Sequence, residues 1–211
     1  GAVRAAVRSS HTGMNPPRIL LLDVMSTLVS EPFLEDIPRF LGMSLDELRA
    51  RKSPEAHVAF EKGLIDEGEY ARRFFLDDTR LDIDGLKATL RASVRLLPGV
   101  EEALSRAARE GVSMYALSNY SEWYRVIDEA TGLSRYIDWA FVSCRTGVRK
   151  PDREAYLRPA RVLGVAPEAC LFVDDREKNV AAARDVGMPA LLRTPELDLE
   201  AALVSRGVLG G

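Results

Sequence analysis

The chain has 211 residues, 46% of them hydrophobic and 29% charged, which excludes disordered and collagen-like classes and suits one α/β core with a modest insertion. The formal net charge is −3 with a sequence pI near 5.6, so no global basic field draws the chain to nucleic acid or to an anionic membrane, and a small-molecule partner is expected. No apolar run approaches the roughly 20 residues that span a bilayer, and the two cysteines, Cys144 and Cys170, imply no disulfide framework.

Residues 1–17 carry no acid and are basic, Ser-bearing and Ala-rich, with Arg4, Arg8, Ser9 and Ser10. This composition resembles the end of an organelle transit peptide, with an unstructured arm or an expression scar as the alternative, and it is set apart from the fold. Beyond it, an apolar run predicts a strand over 19–24. Residues 29–97 show no strong period of two. Helical spacing dominates there, so this segment reads as a helical cap inserted after the first strand, with helices over 45–48, 57–62 and 67–75. Phe40, Phe60, Tyr70, Phe74 and Phe75 supply its apolar faces.

The second half alternates regularly. Helix 100–109 leads to strand 112–117, helix 121–130 to strand 139–143, helix 152–163 to strand 170–173, and helix 178–185 to strand 190–193. Pro98-Gly99 opens one helix, Gly111 and Gly164 close two others, and Pro151 stands at a helix start. A βαβα rhythm of this kind predicts a doubly wound parallel sheet over 18–28 and 98–211.

Four polar signals follow four apolar runs: Asp23 with Val24-Met25-Ser26-Thr27, Ser118-Asn119, Lys150-Pro151-Asp152 and Asp174-Asp175. In an open parallel sheet the C-terminal strand ends meet at one crevice, so these residues are expected in a single site.

In this order, each after a strand, the four signals resemble the haloacid dehalogenase-like superfamily of hydrolases over residues 18 to about 192. The resemblance implies that Asp23 attacks phosphorus to give an aspartyl phosphate. By the same resemblance Ser118, Asn119, Thr27 and Lys150 handle the phosphoryl group, and Asp23, Asp174, Asp175 and the carbonyl of Met25 hold Mg²⁺. Elementary chemistry asks for the same parts. A carboxylate that approaches a phosphate dianion needs cations beside it, and a hard divalent ion takes oxygen ligands. Lys150 adds a point charge.

One position departs from the pattern. Superfamily phosphatases place a second Asp two residues after the nucleophile, and this chain has Met25. General acid–base help of that kind contributes about 10²–10⁴-fold. Ser26, Glu31, Glu35 or metal-bound water are the candidate replacements. The 2-haloacid dehalogenases also lack the second Asp, but they need no metal and typically lack the acidic pair, so Asp174-Asp175 argues against them. The phosphonatases use a cap lysine, which would cast Lys52 or Lys62, both read here as solvated. A catalytically silent binding module is the alternative from another class.

The run 20–29, residues 60–67 of the cap and 149–152 resemble the flavin mononucleotide hydrolases of plant chloroplasts. That resemblance implies a chloroplast location, with the cytoplasm as the alternative, flavin mononucleotide as substrate, and aromatic walls for its ring, with Trp123 and Tyr124 as candidates. Phe33 or Phe40 would face them from the cap. His57 is read as packing or surface.

Overall fold

Ile19–Leu22 forms β1, in which Leu20, Leu21 and Leu22 have no exposed surface at all. A strand enclosed this fully must have both faces covered, and the segments that follow supply the cover. The structure is a computed structural model that describes residues 18–211; the arm expected over 1–17 lies outside these residues.

A short 3₁₀ turn, Pro32–Leu34, leads into five helices: α1 (Asp36–Phe40), α2 (Leu45–Arg51), α3 (Pro54–Glu61), α4 (Glu67–Arg73) and α5 (Ile83–Ser93). Ser44, Ser53, Asp66 and Asp82 cap the last four, each side chain accepting from a backbone N–H three residues on. The core then proceeds through α6 (Val100–Arg109), β2 (Ser113–Ala116), α7 (Tyr124–Thr131), α8 (Ser143–Thr146), α9 (Arg153–Leu163), β3 (Cys170–Asp174), α10 (Glu177–Asp185), β4 (Ala190–Leu192) and α11 (Leu199–Ser205).

The four strands are all parallel, in the order β2-β1-β3-β4. Because side chains alternate along a strand, the sheet divides its apolar residues between two faces. Leu20, Leu22, Met114, Ala116, Leu171 and Val173 pack with Val100, Leu104 and Ile127 of α6 and α7. Leu21, Cys170, Phe172 and Ala190 pack on the other side with Tyr156 of α9 and Val180 and Ala183 of α10.

The sequence overstates the sheet by one strand. In the stretch predicted as strand 139–143 there is only a bridge one residue earlier, where Asp138 pairs with Tyr115, and the chain then turns into α8. Trp139, Phe141 and Val142 are apolar because they are buried in the core, not because they extend a ladder. The helix predicted from 121 begins at Tyr124, since the Ser121 hydroxyl accepts from the N–H of Trp123 and holds those residues in a turn. Helices α1, α5 and α11 have no counterpart in the reading of the sequence. Phe60, Tyr70, Phe74 and Phe75 are buried as expected, whereas Phe40 stays 37% exposed.

Candidate active site

β1 lies between β2 and β3, so the residues leaving these three parallel strands arrive at one edge of the sheet. Asp23 leaves β1 with its N–H donated to the carbonyl of Val173 at 2.9 Å. Ser118 lies two residues beyond β2, while Asp174 ends β3 and Asp175 follows it. Lys150 comes in from the loop before α9, with its side chain almost wholly buried. Its ammonium is 2.7 Å from Oδ1 of Asp23 and 2.6 Å from Oδ2 of Asp174. The Thr27 hydroxyl donates to the other Asp23 oxygen at 3.1 Å. Both oxygens of Asp23 are therefore held, one by a cation and one by a hydroxyl.

Carboxylate oxygens of Asp23, Asp174 and Asp175 lie within 4.8 Å of one another. One ammonium among three carboxylates leaves negative charge in excess. Burial pushes the Asp23 carboxyl upward; the Lys150 charge opposes this and the Asp174 charge adds to it. Burial, then the Asp23 and Asp174 charges, push Asp175 up as well. An all-oxygen cluster with surplus negative charge fits a hard divalent cation such as Mg²⁺. The three members differ in access. Asp174 has no exposed surface, and its oxygens accept from the Arg176 N–H at 2.8 Å and from the Asn179 amide at 3.0 Å besides Lys150. Asp175 is half-buried and faces the cavity.

That cavity has a volume of about 480 Å³, within the range of small-ligand sites. Asp23, Met25, Ser118, Lys150, Asp175 and Trp123 all line it, so the strand ends do meet. Thr27 and Asp174 stand behind its wall. Asn119 also lines it, but its side-chain amide is committed elsewhere: it donates to the carbonyl of Lys150 and accepts from the N–H of Lys150, each at 2.8 Å. These two bonds fix the backbone of Lys150 and leave the second amide N–H unused. Tyr124 is not in the lining. It packs on Trp139 with ring centroids 5.2 Å apart, away from where the sequence had placed it. Trp123 is buried in T-shaped contact with Phe60 and Tyr70, and its indole N–H donates to Glu67 at 2.6 Å. Phe33 lines the cavity; Phe40 does not.

The wall supplied by the helical segment is more polar than its sequence suggested. Lys52, expected in solvent, sits over the rings of Phe33 and Phe74 at 5.0 and 5.8 Å. Burial pulls its ammonium down to about 8 against the opposing charges of Glu61 and Glu31. His57 lines the cavity too, with Nε2 3.2 Å from Glu61 and Nδ1 3.3 Å from the Tyr70 hydroxyl. Burial lowers its pKa against the opposing bond to Glu61. Glu61 is held below the ordinary carboxylate range: burial acts against this, but the His57 bond and the Arg149 and Lys52 charges outweigh it. Arg149 Nη2 is 2.6 Å from Glu61. Only the four-residue spacing of His57 and Glu61 on one helix could have signalled this group in the sequence. Arg73 pairs with Glu69 on the exposed side of α4.

Residues 18–187 match the haloacid dehalogenase-like hydrolase family. The chain is 45% identical over 173 residues to flavin mononucleotide hydrolase 1 of Arabidopsis thaliana, a chloroplast protein by its name, covering 82% of this chain and 71% of that one. It is 33% identical over 103 residues to phosphoglycolate phosphatase 1 of Pseudomonas aeruginosa, covering 48% of this chain and 38% of the relative. In fold it is similar to a HAD family enzyme of Bacteroides thetaiotaomicron, with a TM-score of 0.72 at 18% identity over 89% of this chain and 98% of the other. A crystal structure of that enzyme with magnesium and inorganic phosphate superposes with a TM-score of 0.70 at 19% identity over 88% and 98%.

Proposed function

Because the chain belongs to the haloacid dehalogenase-like hydrolase family, we propose that it is a Mg²⁺-dependent phosphomonoesterase that acts through Asp23 and takes flavin mononucleotide to riboflavin and phosphate. The observation that carries this reading is the position of Lys150, whose ammonium bridges Asp23 and Asp174 at the foot of the cavity. A carboxylate there is desolvated, oriented and flanked by a cation, which are the conditions for attack on an anionic phosphoryl group.

Asp23 supplies the attacking oxygen and Thr27 keeps the carboxylate in line. Lys150 balances charge on the phosphoryl oxygens, and Ser118 donates to one of them. Asn119 holds Lys150 in place through its backbone, and Asp174 anchors the ammonium. Asp23, Asp175, Asp174 and the carbonyl of Met25 are the residues that would hold Mg²⁺. Bound there, the cation neutralises phosphoryl charge and helps bring two anions together. The residues 29–97 act as a cap that closes over the leaving group, and Trp123 and Phe33 give it an apolar wall.

The identity to the Arabidopsis enzyme supports flavin mononucleotide over other phosphate esters, and its name supports a chloroplast location. Among the described residues no helix is long and apolar enough to cross a membrane.

The test is phosphate release from flavin mononucleotide against a panel of sugar phosphates and nucleotides, with and without Mg²⁺, with Asp23→Asn as the control. Selective, Mg²⁺-dependent release that vanishes in Asp23→Asn is the expected result. Release no greater than the control on every substrate would turn the assignment to a binding module in which Met25 has removed the acid.

A further inference from the structure

We infer that Glu31 is the general acid and base of this site, doing for the leaving group what a side chain at Met25 cannot. The inference rests on the phosphomonoesterase reading above. An alkyl phosphate leaves as an alkoxide unless a proton reaches it, so a site without a proton donor turns over slowly.

Most of the ionisable groups around the cavity are otherwise engaged. Lys150 is fixed between two carboxylates, and Asp175 belongs to the acidic cluster. Arginine does not deprotonate. Glu61 is paired with Arg149 and with His57, whose two ring nitrogens are occupied by Glu61 and Tyr70. Burial drives the hydroxyls of Tyr70 and Tyr120 far above the range in which they could exchange protons near neutrality. Lys52 is turned to the faces of Phe33 and Phe74. Glu35 is exposed and bonded to Arg39. Glu31 remains.

Its position suits the task. Glu31 lines the cavity just after the loop that carries Asp23, and its Oε1 accepts from the N–H of Phe33 at 3.2 Å, which caps the Pro32–Leu34 turn. That bond orients one oxygen, so the other is free to meet the leaving group. Lys52 and Arg176 face it with positive charge and Asp23 with negative, and it acts in turn on Tyr120. Burial raises its pKa against the Phe33 bond and the two cations, so the carboxyl retains its proton to higher pH than an exposed glutamate.

In the first step an Asp23 oxygen bonds to phosphorus and the bond from phosphorus to the ester oxygen breaks. Its electron pair goes to that oxygen, which takes the Glu31 proton. In the second step the Glu31 carboxylate takes a proton from water as the water oxygen bonds to phosphorus. The Asp23–phosphorus bond breaks, Asp23 departs as a carboxylate, and both residues are restored.

The experiment compares flavin mononucleotide with p-nitrophenyl phosphate, whose leaving group departs as an anion without a proton, in wild-type protein, Glu31→Gln and Asp23→Asn. Glutamine still accepts the Phe33 bond, and circular dichroism checks the fold. Glu31→Gln should lower kcat/KM for flavin mononucleotide by about 10²–10⁴-fold and leave kcat/KM for p-nitrophenyl phosphate within about tenfold. It should also show a burst of nitrophenolate followed by slow turnover, because the second step lacks its base. Equal loss on both substrates, or no loss on either, overturns the role of Glu31. Activity that survives in Asp23→Asn overturns the underlying phosphomonoesterase reading instead, whatever Glu31→Gln does.

Discussion

Arg149 Nη2 lies 2.6 Å from Oε2 of Glu61, so the residue before Lys150 is tied to the last turn of α3. One ion pair thereby joins the loop that carries Lys150 to the helical segment that lines the cavity. Glu61 is buried and also accepts from the His57 side, and the Ser143 hydroxyl donates to its backbone carbonyl at 2.5 Å.

Replacing Glu61 with alanine leaves Arg149 half-buried without its partner. Such a loss costs about 2–3 kcal/mol. Urea denaturation of Glu61→Ala, Arg149→Met and the double variant should show non-additive losses, because the two residues share one interaction. Additive losses would mean that the pair does not couple the two segments.

The acidic cluster predicts a metal-linked stability. Mg²⁺ at about 100 times its dissociation constant should stabilise the protein by about 2.7 kcal/mol, seen as a rise in Tm, and chelation should abolish phosphate release. Asp175→Asn should lose the Tm shift, since Asp175 is the carboxylate of the cluster that both faces the cavity and is not bonded to Lys150.

Lys52 predicts a pH effect whose sign follows from burial. Its ammonium has a pKa near 8 in the fold, against 10.5 when exposed. Between these values the unfolded chain binds a proton that the native chain does not, so stability gains from this residue as pH rises from 8 toward 10.5 and is lower below 8. Lys52→Met should therefore be more stable than wild type at pH 7, with the difference shrinking by pH 10.

Trp123 separates packing from polarity. Trp123→Ala should cost about 3–5 kcal/mol, because it removes a buried ring in T-shaped contact with Phe60 and Tyr70. Trp123→Phe keeps a ring there but loses the bond to Glu67 and part of the buried indole, which should cost less than the alanine variant, about 1–3 kcal/mol in chemical denaturation. Equal costs for the two variants would count against this division.

The order of signals along the chain was legible because each belongs to a local pattern. Asp23, Ser118 and Asp174 each follow an apolar run, and a run that closes into a parallel strand must end at the same edge as its neighbours. The capping residues Ser53, Asp66 and Asp152 could likewise be read from the chain, since each acts on a backbone N–H two or three residues away. The run 139–143 misled because burial and strand pairing leave the same apolar mark over five residues.

What the amino-acid sequence determined by itself was the α/β class and the gathering of Asp23, Ser118, Lys150 and Asp174-Asp175 in one site. Only the tertiary structure decided that Asn119 serves the Lys150 backbone, that Tyr124 turns away to Trp139, and that Lys52, His57, Glu61 and Arg149 share a wall with Glu31. The reason is range. Periodicity and caps act over a few residues, but desolvation and charge pairing depend on which distant segments fold against each other, and no local pattern encodes that.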